Sequence, residues 1–161
     1  MAELRYPRPF GWGRGHAAGE FLESERWQIL EEREGYLLLE AHLPPHVLNP
    51  AGQLFGGFTG AYIDYVALRT CWAGREDRRG GWLSTVTMQI HYLEPVLPPR
   101  VRLRSALVTQ RRRTYLVETR IEDLDGRVLV HATTSLLEGT RGRPGGDGAG
   151  DLRSGDGGGA S

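Results

Sequence analysis

An α+β fold, a curved antiparallel sheet wrapped around one long central helix, follows from three features of the sequence. Residues 57–72 carry apolar side chains at helical spacing on more than one face, so that helix needs cover nearly all round. Six other segments have the alternation or β-branched and aromatic content of strands. The last four of these follow one another with only short breaks, as antiparallel neighbours do. One long helix then has one sheet to cover it, and the sheet has that helix alone.

Residues 1–20, rich in Pro, Gly and Arg, are expected to form a flexible arm. Residues 26–32 (RWQILEE) and 36–43 (YLLLEAHL) read as two strands joined at Glu34-Gly35. A Pro- and Gly-containing loop, PPHVLNPAGQLF, leads to a Gly-Gly helix start. The helix runs from Gly57 to Trp72 and ends near Gly74, as suits a C-terminal glycine. After the charged loop REDRRGG, residues 84–93 alternate: Val86, Met88, Ile90 and Tyr92 on one face, Thr85, Thr87, Gln89 and His91 on the other. Pro95, Pro98 and Pro99 end that strand. Residues 100–110 alternate again, and 115–122 and 127–137 flank Asp125-Gly126, a strong short hairpin signal. Residues 139–161 are dominated by Gly with almost no apolar side chains; they cannot offset their ordering entropy and are expected to be a disordered tail. The working domain is therefore 21–138, a size that supports one core.

Composition narrows the function classes. Formal net charge is zero, which points to neither nucleic acid nor an anionic membrane as partner. All twenty basic residues are Arg, a bias of coding composition more than of function. The single cysteine, Cys71, excludes an internal disulfide and suits small apolar packing. With no charged start followed by an apolar h-region and no run of 18 apolar residues, a soluble, cytoplasmic protein is expected. The five histidines show no metal-ligand spacing, and there is no G-x-S-x-G nucleophile motif.

Asp64 is the only acidic residue between Gly56 and Gly74. A carboxylate in so apolar a helix is unfavourable unless it is partnered or used. Upstream, Gly56-Gly57 opens the helix, where unpaired N–H groups and the dipole favour negative charge and can hold the oxyanion of an attacked carbonyl. Asn49 supplies an amide able to orient a carbonyl or a water, or simply to shape the turn before Pro50. Together with Asp64 as base or nucleophile, these are the parts of an acyl-transfer site.

The segment N-P-A-G-Q-L-F-G-G, with Asp64 seven residues past the second Gly, resembles the hotdog-fold acyl-CoA thioesterases. Two branches are similar: the phenylacetate-pathway (PaaI-like) group, with N-x-x-G-x-x-H-G-G, and the short- to medium-chain acyl-CoA hydrolases, with L/I-F-G-G. Phe55 stands where the first has His. The resemblance implies an acyl-CoA substrate hydrolysed without metal or redox cofactor. It makes Asp64 the catalytic carboxylate, Gly56 or Gly57 the oxyanion donor, and Asn49 the group that positions carbonyl or water. It implies that Thr85 assists, that Leu54, Phe55 and Phe58 shape the acyl end of the pocket, and that Arg112 and Arg113, in the run Arg111–Arg113, meet the coenzyme phosphates. It also implies a homodimer as minimum unit, with acid and glycine from different protomers, assembled further into a homotetramer. Two rival functions share the fold: a hydratase, which needs a His where Phe55 stands, and an acyl-CoA sensor or scaffold that binds without cleaving.

Overall fold

The computed structural model describes residues 8–9, 17–74 and 82–139. In chain order these form strand β1 (Arg8–Pro9), helix α1 (Ala17–Phe21), strands β2 (Gln28–Arg33) and β3 (Tyr36–His42), and helix α2 (Gly56–Cys71). Strands β4 (Leu83–Tyr92), β5 (Arg100–Arg111), β6 (Thr114–Glu122) and β7 (Val128–Glu138) follow. All pairings are antiparallel, and the sheet runs β1-β2-β3-β5-β6-β7-β4. The one long helix and the six longer strands are those the sequence predicts, with ends that differ by a residue or two. The structure is α+β.

Helix α2 touches β3, β4, β5, β6 and β7, so the curved sheet wraps it as its two-faced apolar pattern requires. Tyr62, Ile63 and Val66 are fully buried against Trp27, Leu37, Leu39, Leu103 and Ile121. Trp27 stacks on Tyr62 with ring centroids 5.2 Å apart and meets Tyr65 edge-on at 5.8 Å. Toward the helix C-terminus a second cluster joins Ala67 and Cys71 to Leu83, Tyr115, Val117 and Leu136. Cys71 packs there as a small buried residue. Past the helix end, Gly74 has φ +67°, and a Cβ there would lie 2.4 Å from the Glu34 nitrogen in the β2–β3 turn. Only glycine lets the chain pass so close to that backbone.

Within the expected flexible arm, Arg8–Pro9 pair with Ile29 and Gln28, and Ala17–Phe21 are helical with Gly19 buried. The rest of that arm, loop 75–81, and the expected tail from residue 140 lie outside the described residues. At Asp125-Gly126 the chain does turn between β6 and β7. Asp123 holds the connection by accepting the N–H groups of Asp125 (3.0 Å) and Arg127 (2.8 Å) on one carboxylate oxygen.

Strict alternation fails along β4. The register runs Thr85↔Leu136 and then Thr87↔Ser135, which leaves Val86 as an extra, bulged residue. Leu136 is a core residue, as is Thr134 opposite Met88. Thr85 therefore faces the helix together with Leu83, Met88 and Ile90, and not the far side with Thr87, Gln89 and His91. A β-bulge shifts the phase of a strand by one residue, and that shift is invisible to pattern counting.

Candidate active site

The loop before α2 is tied into a compact turn by Asn49. Its Oδ1 accepts the N–H groups of Ala51 (2.9 Å) and Gln53 (3.1 Å), and its own N–H donates to the Gln53 carbonyl (2.7 Å). Asn49 thus shapes the turn, and its side-chain carbonyl is engaged within the loop. Leu54 N–H then donates to Val96 O (2.8 Å) and Phe55 N–H to Val47 O (2.9 Å), which fixes where the helix begins.

Phe55 is the N-cap and offers no side-chain acceptor. Its carbonyl takes the N–H groups of Phe58 (2.9 Å) and Thr59 (3.1 Å). The N–H groups of Gly56 and Gly57, both exposed, find no acceptor among the described residues. The first turn carries no acidic side chain, so none of its own residues neutralises the positive end of the helix dipole. A Cβ on Gly56 would meet nothing closer than the Tyr92 side chain at 3.7 Å, and Gly56 has ordinary backbone angles. The protomer's own packing therefore does not demand glycine at Gly56. The hydroxyl of Tyr92, on β4, donates to the Gly56 carbonyl at 2.8 Å.

Two turns along the helix, half-buried Asp64 accepts a hydrogen bond from the Thr85 hydroxyl on Oδ1. The bulge at Val86 is what turns Thr85 to this face. Between the two ends, β4 packs on the helix at Gly60: a Cβ there would be in ordinary contact with Ile90 Cδ1, at 3.6 Å. One strand thus contacts the helix start, middle and carboxylate. By helix rise, Asp64 and Gly56 of one chain are roughly 12 Å apart along the axis.

Beside the helix start is an aromatic group. Phe55 and Phe58 rings lie 5.6 Å apart, Phe58 and Phe21 5.3 Å, and Phe21 and His46 4.8 Å. The Phe21 carbonyl can only accept, so His46 Nε2–H donates to it at 2.6 Å. Phe55 is 51% and Phe21 44% exposed, an unusual state for Phe unless something else covers them. The sequence singled out Phe55 and Phe58; Phe21, at the edge of the expected arm, and Tyr92 were not assigned to the site. The exposed aromatic Tyr92 on an apolar strand face was the available signal.

Arg112 and Arg113 form the two-residue turn between β5 and β6, with Arg112 at φ 53°. Arg113 Nε donates to the Glu138 carbonyl at 2.6 Å, and all three arginines are exposed. The ladder aligns Tyr115, Leu136 and Thr85 across β6, β7 and β4. From strand spacings, Arg113 lies roughly 12 Å from Thr85. The basic turn is therefore at the Asp64 end of the sheet, and Gly56 is at the other. Among the described residues no group of three or more His, Cys, Asp or Glu could hold a metal ion, and no helix is long and apolar enough to cross a membrane.

Solved structures show the same architecture. A hypothetical thioesterase from Streptococcus pneumoniae TIGR4, determined with coenzyme A, is 20% identical with a TM-score of 0.61 over 71% of this chain and 89% of that one. A phenylacetic acid degradation-related protein from Ralstonia eutropha JMP134 is 24% identical, with a TM-score of 0.65 over 76% and 89%. A thioesterase from Haemophilus influenzae is 15% identical, with a TM-score of 0.67 over 86% and 94%. These likenesses give the hotdog fold. Comparison with curated proteins finds no match. The family model described as Thioesterase superfamily matches residues 51–130, a span that contains Gly56, Gly57, Asp64 and Thr85. With that match on this fold, the chain belongs to the thioesterase superfamily and is a thioester hydrolase.

Proposed function

We propose that the protein is an acyl-CoA thioesterase that releases a free carboxylic acid and coenzyme A, with residues 21–138 as its catalytic domain. The observation that carries this reading is Asp64, the only acidic residue of α2, half-buried and hydrogen-bonded to Thr85 on a helix whose first two N–H groups have no acceptor among the described residues. Asp64 acts on the thioester carbon, either through an activated water or by direct attack. Thr85 holds the carboxylate in one orientation. Gly56 and Gly57 N–H groups receive the developing oxyanion, an effect worth on the order of 3–4 kcal/mol per donor. Asn49 orients the carbonyl or water through its amide nitrogen. Phe55 and Phe58 line the acyl end, and Arg112 and Arg113 meet the coenzyme phosphates.

Because a carboxylate and a helix start roughly 12 Å apart in one chain cannot both touch one carbonyl, each site takes Asp64 from one protomer and the glycines from its partner. The exposed edge strand β4, with Val86 and nearby Trp82 and Leu93 also exposed, supports a pairing surface for that homodimer. We place the enzyme in the cytoplasm, with dimers assembled into tetramers. Coenzyme A bound to the Streptococcus pneumoniae thioesterase and acetyl-CoA bound to a Streptococcus mutans protein of this fold support the substrate class. In the former protein an aspartate and a threonine were each replaced by alanine, the residue types paired here at Asp64 and Thr85.

The test is thiol release over a panel of acyl- and aryl-CoA substrates, comparing wild type with Asp64→Asn. Release by wild type and a fall of roughly 10²–10⁴-fold in the variant is the expected result. Equal release by both rejects the site. Binding of acyl-CoA by wild type without release would make the domain a sensor or scaffold.

A further inference from the structure

We propose that Tyr92 is a positioning residue that strengthens the Gly57 N–H as an oxyanion donor. This deepens the thioesterase reading and rests on it. Tyr92 Oη–H donates to the Gly56 carbonyl at 2.8 Å, and its ring lies 3.7–3.8 Å from where a Gly56 Cβ would stand. The Gly56 carbonyl and the Gly57 N–H belong to one peptide unit. A hydrogen bond to the oxygen draws charge through amide resonance and leaves the N–H a stronger donor. Gly57 N–H has no acceptor among the described residues, so that added strength is directed at whatever binds there.

The bond is not a requirement of folding. Gly56 O is the first helical carbonyl of α2, and helix geometry already gives it the Gly60 N–H as partner. The phenol is a second donor to an oxygen that would be satisfied without it. Nor is Tyr92 held by burial, since it is 56% exposed at the end of an edge strand. Strand β4 thus serves both halves of the machinery: Thr85 orients the carboxylate, and Tyr92 tunes the helix start. Of the two glycine donors this singles out Gly57, because the Gly56 N–H belongs to the Phe55–Gly56 peptide, which Tyr92 does not touch.

The experiment compares wild type, Tyr92→Phe and protein carrying monofluorinated tyrosine at position 92, assayed well below the phenol pKa. Tyr92→Phe is expected to lower kcat roughly 3–10-fold with KM and Tm nearly unchanged. The more acidic fluorinated phenol is expected to raise kcat above wild type. The Gly57 amide proton, read by NMR without substrate, should move upfield in Tyr92→Phe and downfield in the fluorinated protein. An unchanged Gly57 resonance overturns the proposal whether or not the protein hydrolyses acyl-CoA. So does a kcat that ignores phenol acidity, or a loss of kcat that tracks a loss of Tm. If the resonance moves as expected but no acyl-CoA is hydrolysed, the polarised donor stands and the thioesterase reading falls.

Discussion

Thr85 donates to Asp64 Oδ1, so replacing it with valine removes the donor while keeping the β-branched shape that suits a strand. Freed of that bond, the carboxylate samples orientations that miss the thioester carbon. Thr85→Val is expected to lower kcat about tenfold with little change in Tm, since Thr85 is exposed in the protomer. Steady-state kinetics beside a thermal melt checks both halves. A second residue-scale expectation concerns His42. Burial, then Arg26, holds its pKa below the usual 6.5, with Arg100 adding to this and Glu23, 3.6 Å away, opposing it. The unfolded chain therefore binds the proton more readily than the folded one. Stability from this group is present above pH 6.5 and is lost as pH falls through the lower folded value. Tm should decline as pH is taken from about 7 toward 5.5, and less steeply in His42→Gln.

At the scale of elements, the close approach of the α2 C-terminus to the β2–β3 turn depends on Gly74. Gly74→Ala combines a left-handed backbone with a Cβ 2.4 Å from the Glu34 nitrogen, and the atoms it meets are all backbone, with no flexible side chain to move aside. A loss of about 2–4 kcal/mol in chemical denaturation is expected, with activity per folded molecule retained. That position was legible in advance, because glycine after a helical run carries its own physical reason. The six longer strands were legible for a similar cause: alternation and turn residues are local properties. Thr85 was named, but alternation put it on the wrong face, with Thr87, Gln89 and His91. An extra residue in β4 reverses the phase, and only pairing with β7 reveals it. Tyr92 escaped assignment because its role lies in a bond to Gly56, 36 residues away, that no spacing rule encodes. Phe21 was read only as the first residue of the working domain, next to a Pro- and Gly-rich arm, and nothing in that local sequence tells that its ring packs on Phe58.

On the scale of the whole molecule, the proposed site is complete only where two chains meet, and this can be read without a structure of the complex. Asp64→Asn removes the carboxylate. Gly56→Leu places a side chain over the helix start, in space the protomer itself leaves open to 3.7 Å. Each variant alone should be nearly inactive while remaining folded by circular dichroism. If acid and glycine come from different protomers, a heterodimer of the two variants has one site with both lesions and one site with neither. Mixing equal amounts, with denaturation and refolding to exchange chains, should then restore about a quarter of wild-type activity, since half of the dimers are mixed and each has one intact site. A site built within a single chain gives no restoration, because every site in every mixture then carries one lesion. The same mixture run at increasing dilution should lose the restored activity as dimers separate, in proportion to the dimer population measured by sedimentation.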